Sequence, residues 1–208
     1  MNMVYRQTQL YKFLYMCEEH SKEYNLEKTI LDCGAGGTMP PLGLFSDFGY
    51  QTTGIEFSDS QIKCAKEFEE EHGLKLNIQK GDMRALPFKD ASMSFVYSHN
   101  SIFHMKKVDI DKSISELKRV LKPNGLILIN LLTLNDCWYG DGKKVGDGEY
   151  LQEEHGGEVI HSYYSDEELK NVLGDMELLV RENRVLERVL DGELIRQGYC
   201  EIIAKKRV

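Results

Sequence analysis

Several protein classes are excluded by what this sequence lacks. It has no C-x-x-C pair, and its five cysteines, at 17, 33, 64, 137 and 200, are odd in number and widely spaced. That spacing argues against a disulfide framework or a zinc knuckle and suits a reducing compartment. No apolar run approaches the ~18 residues that a membrane-spanning helix needs. Residues 1–20 lack the charged-then-apolar order of a secretory signal, which points to the cytoplasm. Basic residues are outnumbered, 26 Lys and Arg against 34 Asp and Glu, for a formal charge of -8. The longest basic run is Lys205-Lys206-Arg207. Such a chain has no global field that draws in nucleic acid or an anionic membrane. Internal repeats and low-complexity tracts are missing too. The sequence says nothing about oligomeric state.

What is present suits one soluble domain. The 208 residues are 41% hydrophobic, enough to bury a core without staples. Short apolar runs alternate with amphipathic stretches. Periodicity predicts a helix over Val4–Tyr24 and strands over Thr29–Cys33, Gln51–Phe57, Leu74–Gln79 and Ser94–Ser98. Ser58 with Gln61 forms a capping box and opens a helix with Ile62, Ala65 and Phe68 inward. A further helix spans Asp111–Leu121, stopped by Pro123-Asn124-Gly125, and Leu126–Leu132 reads as a central parallel strand. From Asn135 to Ser162 the pattern dissolves around Gly140, Gly142, Gly146 and Gly148, which suggests a mobile loop or lid. Ser165 with Glu168 caps a helix carrying Leu169, Val172 and Leu173. Asp191-Gly192 between two strand-like runs, Met176–Leu190 and Glu193–Lys205, signals a hairpin, although Arg181, Arg184 and Arg188 also suit a helix.

This alternation implies an α/β fold, Rossmann-like and doubly wound. Its sheet would hold seven mostly parallel strands, with an antiparallel C-terminal hairpin. The expected divisions are a helical cap (1–25), a cofactor half (29–132), a lid or insert (133–164) and a C-terminal helix and hairpin (165–208). Ligands of such sheets bind beyond the carboxyl ends of the strands. There the first strand runs into Asp32-Cys33-Gly34-Ala35-Gly36-Gly37-Thr38, and Glu56 ends the second. Glycines let a ligand approach the backbone, and a carboxylate at 56 can accept from both hydroxyls of a ribose. A dinucleotide loop wants a third glycine where Met39 stands, and Asp32 would repel a pyrophosphate. A ligand with an ammonium group would suit Asp32. The plain alternative is a tight strand–helix turn with no ligand.

The segment resembles motif I of the class I S-adenosylmethionine-dependent methyltransferases, [D/E]-x-G-x-G-x-G, at Asp32, Gly34 and Gly36; Thr38 replaces the last glycine. Gly54-Ile55-Glu56 resembles motif II, and Gly81-Asp82-Met83 with Leu86-Pro87-Phe88 resembles motif III. Phe95–Met105 looks like the fourth-strand segment, and Leu117–Gly125 looks like the "LxRVLKPGG" stretch. The resemblance covers about residues 29 to 132, in order. It implies S-adenosylmethionine as cofactor and S-adenosylhomocysteine as product. The implied cofactor contacts are Asp32, Gly34, Ala35, Gly36, Glu56 on the ribose, Phe57 on the adenine face, Asp82 on the adenine amino group, Met83 through its backbone, and Ser98. Many members carry an Asp where this chain has Ser94, so a mechanism resting on that Asp does not transfer.

The acceptor side should lie over the fourth and fifth strands. His99 and His104 are candidates for a base, although each also has a plain reading, in loop shape or packing. Base-modifying relatives of this fold show N-P-P-[YF] where this chain has Ser98-His99-Asn100-Ser101. With the charge, that favours a small-molecule acceptor over nucleic acid. Trp138, Tyr139, Tyr150, His155, His161, Tyr163 and Tyr164 make the 133–164 segment aromatic. The substrate-binding candidates are Tyr11, Tyr15, Asn100, Trp138, Tyr139, His161 and Tyr163. Asp141-Gly142 and Asp147-Gly148 faintly suggest a calcium loop, but Lys143 stands where a ligand oxygen is required. No histidine pair has ligand spacing with a third partner, so no metal is expected. A dinucleotide-dependent reductase and a non-catalytic S-adenosylmethionine-binding module remain the alternatives.

Overall fold

The computed structural model describes residues 5, 7–154, 156–190 and 192–208. Val4, His155 and Asp191, assigned above to the first helix, the lid and the hairpin turn, lie outside them. Helix α1 runs Thr8–Tyr24 and buries Leu10, Phe13, Leu14 and Cys17, the face its 3.6-residue period marks. Five strands then pair in parallel: β1 (Thr29–Cys33), β2 (Gln51–Glu56), β3 (Ile78–Lys80), β4 (Met93–Ser98) and β5 (Leu121–Thr133). Their spatial order is β3-β2-β1-β4-β5. The order reverses at β1, so a crevice opens beyond the carboxyl ends of β1 and β4.

Helices α2 (Leu42–Asp47) and α3 (Asp59–His72) join α1 over one face of the sheet, and α4 (Lys107–Val120) covers the other. β1 feeds both layers: Ile30 packs with Phe13, Phe45 and Phe95, while Leu31 and Cys33 pack with Ile114 and Leu117. The hairpin β9 (Glu177–Leu190) and β10 (Glu193–Lys205) adds to β5 through β10, antiparallel from Tyr199↔Leu132 to Lys205↔Leu126. Arg181, Arg184 and Arg188 are therefore strand residues. This path holds the expected seven strands.

Three further strands replace the expected mobile loop. They are β6 (Lys143–Gly146), β7 (Glu149–Glu154) and β8 (Gly157–Tyr164), an antiparallel meander. Its last strand joins β5 in parallel at Leu132↔Tyr163 and Thr133↔Tyr164. Leu132 is already paired with Tyr199 on one side, so β8 takes the side that β4 leaves when it ends at Ser98. The glycines belong to turns. At Gly148, φ is +68°, and a Cβ would sit 2.5 Å from the Tyr163 carbonyl oxygen. The segment lacks an apolar alternation because only part of the meander faces the core.

Other boundaries shift for local reasons. α4 starts four residues before the expected Asp111, because the Glu149 carboxylate accepts the Lys107 N–H at 2.7 Å and caps the helix from a distant strand. β3 is shorter than Leu74–Gln79, because Asn77 has φ +56° and its side chain donates to the Thr52 carbonyl. Ser58 accepts the Gln61 N–H, but its own N–H donates to Glu56, not to Gln61, so the box is half formed. The complete capping box is at Ser165 and Glu168, opening α5 (Asp166–Leu169). That helix gives way to i→i+3 turns through Met176, which keep Leu173 buried beside Leu169.

Candidate active site

The first rim of the crevice is built from backbone. The N–H groups of Gly34 and Ala35 both donate to the Ile55 carbonyl, at 2.8 and 3.1 Å, tying the loop after β1 to β2. Gly34 has φ +96°, and a Cβ there would lie 2.0 Å from Ser101 Oγ. At Gly36 a Cβ would meet Gln61 Cβ at 2.5 Å and Glu56 Oε2 at 2.9 Å. Side chains are thus excluded from both positions. Glu56 accepts the Gly36 N–H at 3.0 Å on one oxygen and the Ser58 N–H at 2.8 Å on the other. Each carboxylate oxygen keeps a second lone pair for a hydroxyl.

Asp32 is the next-to-last residue of β1, on the face covered by α1, α2 and α3, opposite Tyr97, and is 1% exposed. Its Oδ2 is buried without a hydrogen-bond partner. Burial pushes its carboxyl up to about 8; the Tyr97 hydroxyl pulls the other way, and the charge of Glu56 adds to the rise. Asp82, on the turn after β3, is gripped by Arg84, whose Nη2 lies 2.6 Å from Oδ2. That guanidinium holds the Asp82 carboxyl below its usual range. Phe57 is 67% exposed, with Lys80 Nζ 5.6 Å from its ring centre. Met83 packs on the core beneath α4. Ser98 is fully buried and donates to the Cys33 carbonyl at 2.6 Å, so its hydroxyl fixes β1 against β4.

None of the residues just described lines either of two cavities beyond β4 and β5; Ser101, against Gly34, falls in sequence between the wall residues Asn100 and Phe103. Asn100 lines both cavities, with φ +56°, its N–H donating to Asn130 Oδ1 and its Oδ1 accepting from Asn130 Nδ2, each at 2.7 Å. The larger cavity, about 660 Å³, is lined among others by Phe103, His104, Trp138, His161 and Tyr163. The smaller, about 440 Å³, is lined by His99, Arg184 and the first residues of α1. Burial, with help from Arg184, pushes His99 down to about 4, so it is neutral at pH 7.

Of the other substrate candidates, Tyr139 sits edge-on to Tyr150 and Tyr163, is exposed and lines neither cavity. Tyr11 and Tyr15 line neither cavity. The Tyr11 hydroxyl accepts the Tyr5 N–H, and Tyr15 is 67% exposed on the outer side of α1. Helical phase explains this, since the buried stripe runs through Leu10, Phe13, Leu14 and Cys17.

The fold also assembles residues that linear spacing hides. His161 Nε2 lies 3.3 Å from Glu154 Oε2, and His104 Nε2 lies 3.8 Å from the same oxygen. β8 holds the two imidazoles together: the Ser162 N–H donates to the Phe103 carbonyl, and its hydroxyl to the Met105 carbonyl at 2.6 Å. Burial holds His161 below its ordinary range. Asp136 accepts the N–H groups of Trp138 and Gly198, both at 3.0 Å, and burial raises its carboxyl. Glu154, Arg188 and Tyr199 were not legible as site residues, because the strands that carry them lack a clear period, and Asp136 was not because it sits in a turn after β5.

Residues 31–129 match a family model described as a methyltransferase domain. Residues 31–129 are thus a methyltransferase domain, and the resemblance is to the class I S-adenosylmethionine-dependent methyltransferase family. It is 31% identical over 181 residues to a sterol 24-C-methyltransferase of Pneumocystis carinii, covering 70% of this chain and 47% of that one. The chain thus spans about half the length of that curated relative. Its fold is that of a SAM-dependent methyltransferase from Methanosarcina mazei, with a TM-score of 0.72 and 23% identity over 90% of this chain and 97% of that one. It is also the fold of the 1,6-didemethyltoxoflavin-N1-methyltransferase of Burkholderia thailandensis, solved with its substrate and S-adenosylhomocysteine. There the TM-score is 0.62 with 13% identity, over 92% of this chain and 76% of that one. The family implies S-adenosylmethionine, and the methyltransferase domain has features that suit it: a glycine cradle that a Cβ would fill and a buried, unpartnered carboxylate oxygen at Asp32.

Proposed function

We propose that this protein transfers the methyl group of S-adenosylmethionine to a small-molecule acceptor. The observation that carries the reading is the cradle of Gly34 and Gly36 between Asp32 and Glu56, beside cavities that open past Asn100. The cofactor supplies a methyl group on a sulfonium, already an activated electrophile. Asp32 meets its ammonium group, and Glu56 accepts from its ribose hydroxyls. Ala35 contributes backbone, Phe57 lies on the adenine, Met83 offers its backbone and Ser98 keeps β1 and β4 in register. Asp82 takes the adenine amino group, with Arg84 orienting the carboxylate.

The acceptor occupies the cavity under Trp138, His161 and Tyr163, with Asn100 at the boundary. Holding it in line behind the methyl group in a dry site supports roughly 7–11 kcal/mol of barrier lowering. Aromatic walls suit a cationic sulfur. With a pKa near 4, His99 is poorly matched to base catalysis at pH 7. His104 is the better placed of the two, in the larger cavity.

Calorimetric titration with S-adenosylhomocysteine tests the reading. Wild type should bind, and Glu56→Ala should bind roughly 10- to 100-fold more weakly, for one or two lost charge-assisted hydrogen bonds. A folded wild type that does not bind would overturn it.

A further inference from the structure

We infer that His104, His161 and Glu154 form a binding site for a borderline divalent transition cation of the zinc class, with an open coordination position facing the larger cavity. The inference uses none of the residues of the glycine rim, so its test is independent of cofactor binding; it shares His104 and His161 with the acceptor cavity, where a bound cation would take His104 out of the role of base.

Three separate stretches of chain supply the ligands. His104 comes from the turn after β4, Glu154 from the end of β7 and His161 from β8. Their ligand atoms all lie within 4.8 Å of one another. Bonds of 2.0–2.1 Å in a tetrahedral site set neighbouring ligand atoms about 3.4 Å apart. The His161–Glu154 separation of 3.3 Å already has that value, and the His104–Glu154 separation of 3.8 Å needs only a small closure. The arrangement is braced: Ser162 bonds the residues on either side of His104, and the two rings lie 4.7 Å apart. In β7 and β8 the pairings Tyr150↔His161, Gln152↔Val159 and Glu154↔Gly157 put Glu154 and His161 on one face. Gly157 offers no side chain to crowd it.

Charge points the same way. Asp136, Asp141, Glu153 and Glu154 line this cavity, against Arg188 as the one guanidinium. Two imidazoles and a single carboxylate match zinc-class cations rather than calcium or magnesium, which take oxygen ligands. Three protein ligands beside a cavity leave one position for water or an anionic oxygen, as in open zinc sites.

The test uses the full chain, stripped with a chelator and titrated with Zn²⁺ in a calorimeter and with Co²⁺ by visible absorption. One equivalent should bind at micromolar affinity or tighter, with the ligand-field spectrum of nitrogen and oxygen donors. His104→Ala and His161→Ala should each weaken binding about 100-fold or more, while His72→Ala, at the end of α3, should not change it. No binding by folded wild type, or binding indifferent to both variants, overturns the proposal. Should either variant fail to fold, the cobalt spectrum of wild type decides. Thiolate charge-transfer bands would place the cation at the exposed Cys137 and overturn it, and their absence with one equivalent bound would support it.

Discussion

The two rims of the crevice are made of different materials. On the β1–β2 rim the shape comes from backbone. Gly34, Ala35, Gly36 and Ser58 spend their N–H groups on Ile55 and Glu56, and added Cβ atoms collide. On the β5–β8 rim the polar groups are side chains, brought in from the turn after β4 and from β7 and β8, and braced by Ser162. A backbone rim tolerates loss of most side chains and fails when one is added. A side-chain rim tolerates additions better and fails by deletion. This difference suits one rim to a ligand of fixed shape and the other to a ligand that varies between relatives.

The largest effect that would break the comparison is at Gly34. Gly34→Ala places a methyl group 2.0 Å from Ser101 Oγ in a backbone conformation that side chains rarely adopt. It should cost about 4 kcal/mol or more in a denaturant melt and abolish S-adenosylhomocysteine binding. Ser101→Gly in the same chain should recover the steric part and leave the backbone strain.

Asp32 comes next, and its effect depends on pH. An unfolded chain releases this proton near 3.8, whereas the folded chain keeps it to about 8. Between those values the folded state binds more protons, so stability falls as pH rises through the window and levels off above 8. Asp32→Asn should remove that decline and be more stable than wild type above pH 8, by on the order of 4–6 kcal/mol. A melt series that gave both proteins the same slope would contradict the burial of a charge there. The smallest effect belongs to the other rim. Ser162→Ala leaves the Met105 carbonyl without its donor and should cost about 1–2 kcal/mol, with no effect on S-adenosylhomocysteine affinity.

How much of this was legible follows the same division. The parallel strands declared themselves through short apolar runs. Asp32, Gly34, Gly36 and Glu56 did so because glycine and acid at a strand end serve few purposes. His161 was a candidate from the sequence, but Glu154 and its approach to His104 and His161 were hidden, because the faces of β7 and β8 carry no apolar alternation and their pairing is non-local. The start of α4 was hidden too, since its cap arrives from Glu149 in another strand. Tyr11 and Tyr15 misled because aromatic character, without helical phase, says nothing about direction.

The central claim is a division of labour, with cofactor on the backbone rim and a second ligand on the side-chain rim. One calorimetric series with S-adenosylhomocysteine tests it most directly, run on wild type, Glu56→Ala and His161→Ala. The account predicts a loss of roughly 10- to 100-fold for Glu56→Ala and under about 2-fold for His161→Ala. Equal losses, or the larger loss at His161, would contradict it.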